Sequence, residues 1–204
     1  MFQVTYSCQT RNSTLRVLFP FRDLRLAVVL TLLLTASCTN RAAKLPYYDR
    51  VPAFTMTDAE GRDFHGSALQ GKVWIADFIY TTCPAACPMM SAKMEGIHKQ
   101  IAGQTDVRIV SFSVDPKDSP AALKAFGSRY GGANEDWIFL TGTPEMVHLL
   151  AFKTFHVGDV LGKIEHSTKF ILVDKHGEIR GYYSSIDPDG ATELLKDAEA
   201  LRKD

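Results

Sequence analysis

Two cysteines separated by three residues are the part of this sequence with the clearest chemical potential. Cys83 and Cys87 lie in the run TTCPAACP, directly after an apolar stretch and at the start of a helical pattern. Because a helix N-terminus stabilises a thiolate through its unpaired N–H groups and its dipole, we expect a lowered pKa for both thiols. The pattern predicts a reactive or metal-binding dithiol.

The spacing of this pair leaves metal binding and redox chemistry both open. Redox pairs of the thioredoxin type have two residues between the cysteines, whereas three residues put the sulfurs about one helical turn apart. That separation can hold a metal ion, and with modest backbone movement it still allows a disulfide. A purely stabilising disulfide is disfavoured, because so short a loop removes little entropy from the unfolded chain.

The elements around the cysteines indicate an α/β fold. Predicted strands cover residues 73–80, 107–114, 137–140, 168–174 and 178–183, and predicted helices cover residues 88–101, 144–152 and 191–202, with a further helix beginning at Pro120. Ser119 and Thr143 are the predicted N-caps of two of these helices. The order predicts a thioredoxin-like fold, in which a central mixed sheet carries helices on both faces and one extra strand–helix unit is inserted.

Other polar and sulfur-containing residues are weaker candidates for the site. Asp115 follows the strand 107–114, where such sheets usually present functional groups, so it is a candidate for a hydrogen bond to the site or to a partner. Met89, Met90 and Met94 have the helical spacing of core residues and are not expected to be ligands. Five histidines are expected to be surface residues: His65, His98, His148, His156 and His176.

Five short motifs in a fixed order make the chain resemble the SCO/SenC family of copper chaperones. They are YTTCPAACP at residues 80–88, SVDP at 113–116, LTG at 140–142, EHS at 165–167 and FILVD at 170–174. The resemblance covers about residues 50–203. It implies a thioredoxin-like domain that binds one copper ion through two cysteines and a distant histidine, and that helps to assemble the dinuclear copper centre of cytochrome c oxidase.

Carried onto this chain, the implied copper ligands are Cys83, Cys87 and His166. Thioredoxin-like chains usually have a proline just before the penultimate strand, and here that place is taken by Ser167, with His166 immediately before it. Two thiolates and one imidazole suit Cu(I) and leave room for an incoming ligand, while Cu(II) binding stays open. The family often has an acid directly after the first Cys-Pro, where this chain has Ala85, so no role of that acid can be carried over.

Two functions remain open from the sequence. The first is a metallochaperone that passes copper to the copper-site subunit of cytochrome c oxidase by ligand exchange. The second is a thiol-disulfide oxidoreductase that reduces the cysteines of that subunit, with Cys83 and Cys87 as the attacking and resolving thiols. Both require a thiol reductant, and the first also requires a copper donor, neither of which the sequence identifies. A zinc site and a peroxidase are disfavoured, because no general base lies near the pair in sequence and no convincing peroxide-activating arginine is found.

The first residues predict export to the periplasmic side of a bacterial membrane. An arginine-rich stretch at 11–25 precedes the apolar run 26–36, which is too short for a membrane-spanning helix. The run TASC at 35–38 resembles a lipobox. Residues 1–37 are therefore predicted to be a lipoprotein signal peptide, Cys38 the lipidated N-terminus, residues 38–52 a tether and residues 53–204 the domain. An uncleaved or conventionally cleaved signal is the alternative.

Composition and charge indicate the number of domains and exclude one class of binding protein. The chain has 204 residues, of which 46% are hydrophobic, which suits one globular domain behind a targeting segment. Lys and Arg together number 23, as do Asp and Glu, so the formal net charge is zero. A protein that binds nucleic acid through bulk positive charge is excluded on this ground.

Overall fold

The computed structural model describes residues 41–157 and 168–204 of the chain. The predicted signal peptide, the lipidation site Cys38 and the third predicted copper ligand, His166, lie outside the described residues, so these assignments stay predictions. Within the described ranges, no helix is long and apolar enough to cross a membrane.

A mixed sheet of seven strands forms the centre of the described domain. In chain order the strands are β1 (Thr55–Asp58), β2 (Asp63–His65), β3 (Val73–Ile79), β4 (Val107–Ser113), β5 (Trp137–Thr141), β6 (Lys169–Val173) and β7 (Ile179–Ser184). They lie side by side in the order β2-β1-β5-β4-β3-β6-β7. Strands β3, β4 and β5 are parallel to one another, and the other neighbouring pairs are antiparallel. Every residue of β3 is buried, which explains its nearly continuous apolar sequence.

Helices cover both faces of the sheet. The α-helices are α1 (Arg41–Lys44), α2 (Ala86–Ile101), α3 (Pro120–Ser128), α4 (Pro144–His148) and α5 (Gly190–Lys203), with a 3-10 turn at Gly66–Leu69. Buried side chains of α2, α3 and α5 pack with Ile75 of β3, whereas those of α4 pack with its neighbours Trp74 and Ala76. Adjacent strand residues face opposite sides of a sheet, so the two groups lie on opposite faces. The predicted thioredoxin-like α/β fold is confirmed.

Two helix starts follow the predicted capping chemistry. The Ser119 hydroxyl accepts a hydrogen bond from the backbone N–H of Ala122 at 3.2 Å, and the Thr143 hydroxyl accepts one from Met146 at 3.3 Å. Each helix has proline at its first position, where a missing N–H costs nothing. Both predicted N-caps are confirmed.

The helix that begins at Pro144 changes its winding before its end. The α-helical part stops at His148, and a π-helix continues over Leu149–Thr154. The Phe155 N–H donates to the Leu150 carbonyl at 2.8 Å, five residues back, which is the hydrogen bond that defines this wider winding. The sequence predicted a regular helix to residue 152, because apolar spacing alone does not distinguish the two forms.

Residues 42–51, which belong to the segment 38–52 predicted to be a tether, pack on the domain. Ala42 is almost fully buried, and the Arg180 guanidinium donates to the carbonyls of Pro46 at 2.9 Å and Leu45 at 3.0 Å. The Tyr48 N–H donates to the Ile179 carbonyl at 3.0 Å. These contacts use backbone groups, which leave no apolar periodicity in the sequence.

Strands β1 and β2 form a hairpin that the sequence reading did not predict. Their backbones pair in the register Thr55 with His65 and Thr57 with Asp63. Gly61 lies in the connecting turn with φ +79°, a conformation that glycine adopts without steric cost. On its other side β1 pairs with β5, so the hairpin extends the sheet beyond the parallel strands.

Candidate dithiol metal site

The two cysteines lie where strand β3 gives way to helix α2. Cys83 is in the short loop between these elements, and Cys87 is in the first turn of α2. The side chains are free thiols and are 5% and 3% exposed. The predicted position at the carboxyl end of a central strand and the start of a helix is therefore observed.

The sulfur of Cys83 caps the helix that carries Cys87. Ala85, at the N-cap position, has no side-chain oxygen to accept hydrogen bonds from the first turn. The Cys87 N–H donates instead to the Cys83 Sγ at 3.3 Å. This geometry brings the sulfur of the first cysteine to the backbone of the second.

The surroundings of the two thiols shift their pKa values in opposite directions. Burial alone would raise the pKa of Cys83, but hydrogen bonds from the Cys87 N–H and thiol, the Ala85 N–H and the Tyr80 hydroxyl outweigh it and lower that pKa. Burial raises the pKa of Cys87 to about 12, and the hydrogen bond between the two sulfurs adds to the effect. The expectation of a lowered pKa is met by Cys83 and is wrong for Cys87, since burial of Cys87 outweighs the helix terminus.

Tyr80 is a member of this site that the sequence reading did not single out. Its pKa is raised first because its hydroxyl hydrogen-bonds with Cys83, and burial and the charges of the two cysteines add to the shift. A phenol that stays protonated can donate to a thiolate. Tyr80 therefore stabilises the charged form of the Cys83 sulfur from the strand side of the loop.

Asp77 is a buried acid beneath the pair. It lies within β3 and is fully buried, and within the described part of the chain neither carboxylate oxygen is in good hydrogen-bonding geometry with a partner. Burial raises the pKa of Asp77 to about 7, while Ser111, its register neighbour on β4, acts in the lowering direction. When ionised, Asp77 raises the pKa of Cys87 further. An acid inside the apolar run 73–80 was the sequence signal that could have revealed it.

Two acids follow strand β4, and the structure places them differently. The Asp115 carboxylate, the predicted candidate, accepts the backbone N–H of Lys117 at 2.9 Å within its own turn. Asp118 is buried, and its carboxylate accepts the backbone N–H of Thr81 at 2.8 Å and the Thr81 hydroxyl at 2.5 Å. Asp118 thus contacts the segment that carries Cys83. A role of Asp115 at the site stays a prediction.

The three methionines of helix α2, whose sulfur atoms are soft donors, differ in how deeply they are buried. Met90 and Met94 are 1% and 0% exposed in the core, as predicted from their spacing. The same expectation is wrong for Met89, which is 43% exposed. Within residues 41–157 and 168–204, no group of three His, Cys, Asp or Glu side chains is arranged to hold a metal ion. The predicted third ligand, His166, lies outside those ranges and stays a prediction.

A thioredoxin-like domain with two free cysteines at the junction of a central strand and a helix defines a class of proteins that bind soft metals or exchange disulfides. A family model described as SCO1/SenC matches residues 43–201 of this chain. The chain belongs to the SCO1/SenC family.

Individual relatives agree with this assignment. The SCO1 protein homolog of Bacillus subtilis (strain 168) is 32% identical over 180 residues, which cover 84% of this chain and 92% of that protein. A putative copper-binding protein of Stutzerimonas stutzeri is 28% identical over 149 residues, covering 68% and 71%. The solved structure of BsSco, described as a Sco-family cytochrome c oxidase assembly protein with a disulfide switch, has a TM-score of 0.68 and 32% identity. It covers 78% of this chain and 97% of that one.

Proposed function

We propose that this protein is an extracytoplasmic copper-binding metallochaperone that delivers copper to the dinuclear copper site of cytochrome c oxidase. The observation that carries the proposal is the buried pair of free cysteines, Cys83 and Cys87, joined through the Cys83 Sγ and the Cys87 N–H at 3.3 Å. Soft thiolates favour Cu(I) over harder cations. The copper-binding relative and the oxidase assembly relative support the same function.

The different pKa values of the two thiols determine which proton is released when copper binds. Cys83 has the lowered pKa and provides the first thiolate, while Cys87 stays protonated until copper replaces its proton. His166 would complete a three-coordinate site, as the family resemblance implies. Three ligands leave a position for an incoming ligand from the target subunit, which allows transfer by ligand exchange.

The same difference in pKa between Cys83 and Cys87 also favours a second function. A thiol-disulfide oxidoreductase needs one nucleophilic thiolate and one resolving thiol, and the pKa of Cys83 is lowered whereas that of Cys87 is raised. Cys83 would attack a disulfide of the oxidase subunit, and Cys87 would then displace the mixed disulfide. The target gains two thiols, and this protein is left with a Cys83–Cys87 disulfide that an external thiol reductant must reopen.

The site of action follows from the predicted N-terminus. We place the domain on the periplasmic side of a bacterial membrane, held by a lipid on Cys38. The mass of the N-terminal peptide of membrane-extracted protein tests this location. A lipid-modified Cys38 is expected, and an unmodified N-terminus at any other residue would contradict the anchor.

The decisive experiment is a Cu(I) titration of the reduced, detergent-solubilised protein under anaerobic conditions. The wild type is expected to bind one Cu(I) per chain, Cys87→Ser to lose tight binding, and His166→Ala to bind at least about tenfold more weakly. His176→Ala, in the turn between β6 and β7, is the matched histidine control and should bind as the wild type does. Absence of tight copper binding in the wild type would reject the chaperone and favour the oxidoreductase.

A further inference from the structure

The carboxylate of Asp118 joins the loop that carries Cys83 to the end of strand β4. It accepts the Thr81 N–H at 2.8 Å, the Thr81 hydroxyl at 2.5 Å and the Ser113 hydroxyl at 2.7 Å. Asp118 is 5% exposed, so the accepting carboxylate is largely shielded from water. A buried carboxylate that accepts several hydrogen bonds is costly to displace, because it would be left without partners.

This attachment restricts the position of Cys83 directly. Thr81 is two residues before Cys83, and the Cys83 N–H donates to the Tyr80 carbonyl at 3.2 Å across the same turn. After Cys83, Pro84 has a fixed φ and helix α2 begins at Ala86. The loop is therefore held at its start by Asp118 and at its end by the helix.

The held loop determines where the Cys83 sulfur lies. Its Sγ caps α2 by accepting the Cys87 N–H at 3.3 Å, and the N-cap residue itself offers no side-chain acceptor. Movement of Thr81 away from β4 would shift the Cys83 backbone and with it the sulfur. The position of the Cys83 sulfur thus depends on a carboxylate whose described hydrogen bonds go to Thr81 and Ser113.

We propose that Asp118 is a positioning residue for the dithiol: it fixes the loop of Cys83 on strand β4 and so sets the affinity of the pair for Cu(I) and the stability of its reduced form. The copper part of this inference rests on the proposed function. The redox part rests only on the presence of two free cysteines and is tested without copper.

The test compares three variants of the full chain. Asp118→Ala removes the acceptor, and Asp118→Asn keeps one oxygen for the Thr81 N–H together with an amide that can donate to the Thr81 hydroxyl. Ser119→Ala is the matched control, because it removes the cap of helix α3 from the adjacent position and touches no part of the Cys83 loop. Should Asp118→Ala fail to fold, Thr81→Val replaces it, since this variant removes only the bond at 2.5 Å.

The first measurement is Cu(I) affinity by competition with a chromophoric chelator. Asp118→Ala is expected to bind Cu(I) about tenfold more weakly than the wild type, which is the range for residues that orient metal ligands. Asp118→Asn should recover most of this loss, and Ser119→Ala should stay within about twofold of the wild type.

The second measurement is the equilibrium with glutathione at pH 7, in which the protein dithiol and one glutathione disulfide give the protein disulfide and two glutathione molecules. Because the attachment holds the reduced arrangement, Asp118→Ala should shift this equilibrium about fivefold or more toward the protein disulfide, with Asn recovering it. Wild-type values in Asp118→Ala for both measurements, or equal changes in Ser119→Ala, would overturn the proposal. If the wild type binds no Cu(I), the proposed function fails. The glutathione equilibrium then still tests whether Asp118 positions the dithiol.

Discussion

The two ends of the central sheet use the same device, a buried carboxylate that collects hydrogen bonds, for different purposes. Asp118 holds the loop that follows the end of β3, and its described donors are neutral groups of Thr81 and Ser113. Asp174 closes the turn after β6, beside the start of β3, and its carboxylate contacts the Arg180 guanidinium at 2.7 Å. The Asp118 carboxylate therefore has no cation among its described partners, whereas the Asp174 carboxylate is paired with the Arg180 guanidinium.

The difference matches what each end must do. Arg180 attaches the N-terminal segment to the sheet through hydrogen bonds to the carbonyls of Pro46 and Leu45. Because Arg180 also forms an ion pair with the buried Asp174, this attachment is costly to break. A guanidinium beside Cys83 would repel an incoming copper cation at close range. The neutral donors of Thr81 and Ser113 hold the loop without that repulsion.

The largest effect is expected from breaking the charged end. Arg180→Ala should lower the free energy of unfolding by about 3 to 5 kcal/mol, because Asp174 would be left buried without its cation. Urea denaturation measures this loss. Lys196→Ala, which breaks an exposed pair with Glu193, is the control and should cost less than about 1 kcal/mol. Cu(I) affinity of Arg180→Ala should equal that of the wild type, and a tenfold loss would contradict the separation of the two ends.

A smaller effect, visible in its pH dependence, is expected from the acid between the two ends. Burial raises the pKa of Asp77 from 3.8 to about 7 in the folded protein, and no described residue is in good hydrogen-bonding geometry with its carboxylate. The folded state therefore binds a proton that the unfolded state releases, and stability falls as pH rises from about 4 to about 7. Asp77→Asn should remove this fall, which amounts to at most about 4 kcal/mol.

Denaturation midpoints of wild type and Asp77→Asn between pH 4 and pH 8 provide the measurement. The two curves should diverge progressively up to about pH 7 and run parallel above it. Asp115→Asn serves as the control for an acid in an exposed turn. Parallel curves over the whole range would show that Asp77 is ionised and solvated in the folded protein.

The smallest effect is expected at the helix caps. Ser119→Ala and Thr143→Ala should each lower the free energy of unfolding by about 1 kcal/mol, since each leaves one N–H of the first turn without its acceptor. Thermal unfolding measures both. Replacing each residue by aspartate, which can also cap, should restore the stability, and a loss that persists would assign another role to the hydroxyl.

The core of the fold and the position of the cysteines could be predicted because their signals are local. Strand β3 is an apolar run interrupted only by Asp77, and α2 begins within two residues of the predicted start. Ser119 and Thr143 followed by proline are capping signals that depend only on neighbouring residues. The thioredoxin-like order follows from the sequence of such elements along the chain.

The contacts that tune the site could not be predicted, because they join residues distant in sequence. Asp118 and Thr81 are 37 positions apart, and an acid in a turn after a strand usually closes that turn alone. The raised pKa of Cys87 depends on burial, which the CPAACP pattern does not reveal. The packing of residues 42–51 depends on Arg180, more than a hundred residues later.

The docking of the N-terminal segment also affects how copies of this protein meet one another. Strand β7 is at the edge of the sheet, and its first residue, Ile179, exchanges backbone hydrogen bonds with Tyr48 and Asp49. Open edge strands recruit strands of other molecules and promote aggregation. Tyr48–Val51 therefore shields part of this edge. A protein shortened to begin at residue 53 should self-associate in sedimentation velocity experiments, whereas one that begins at residue 40 should stay monomeric.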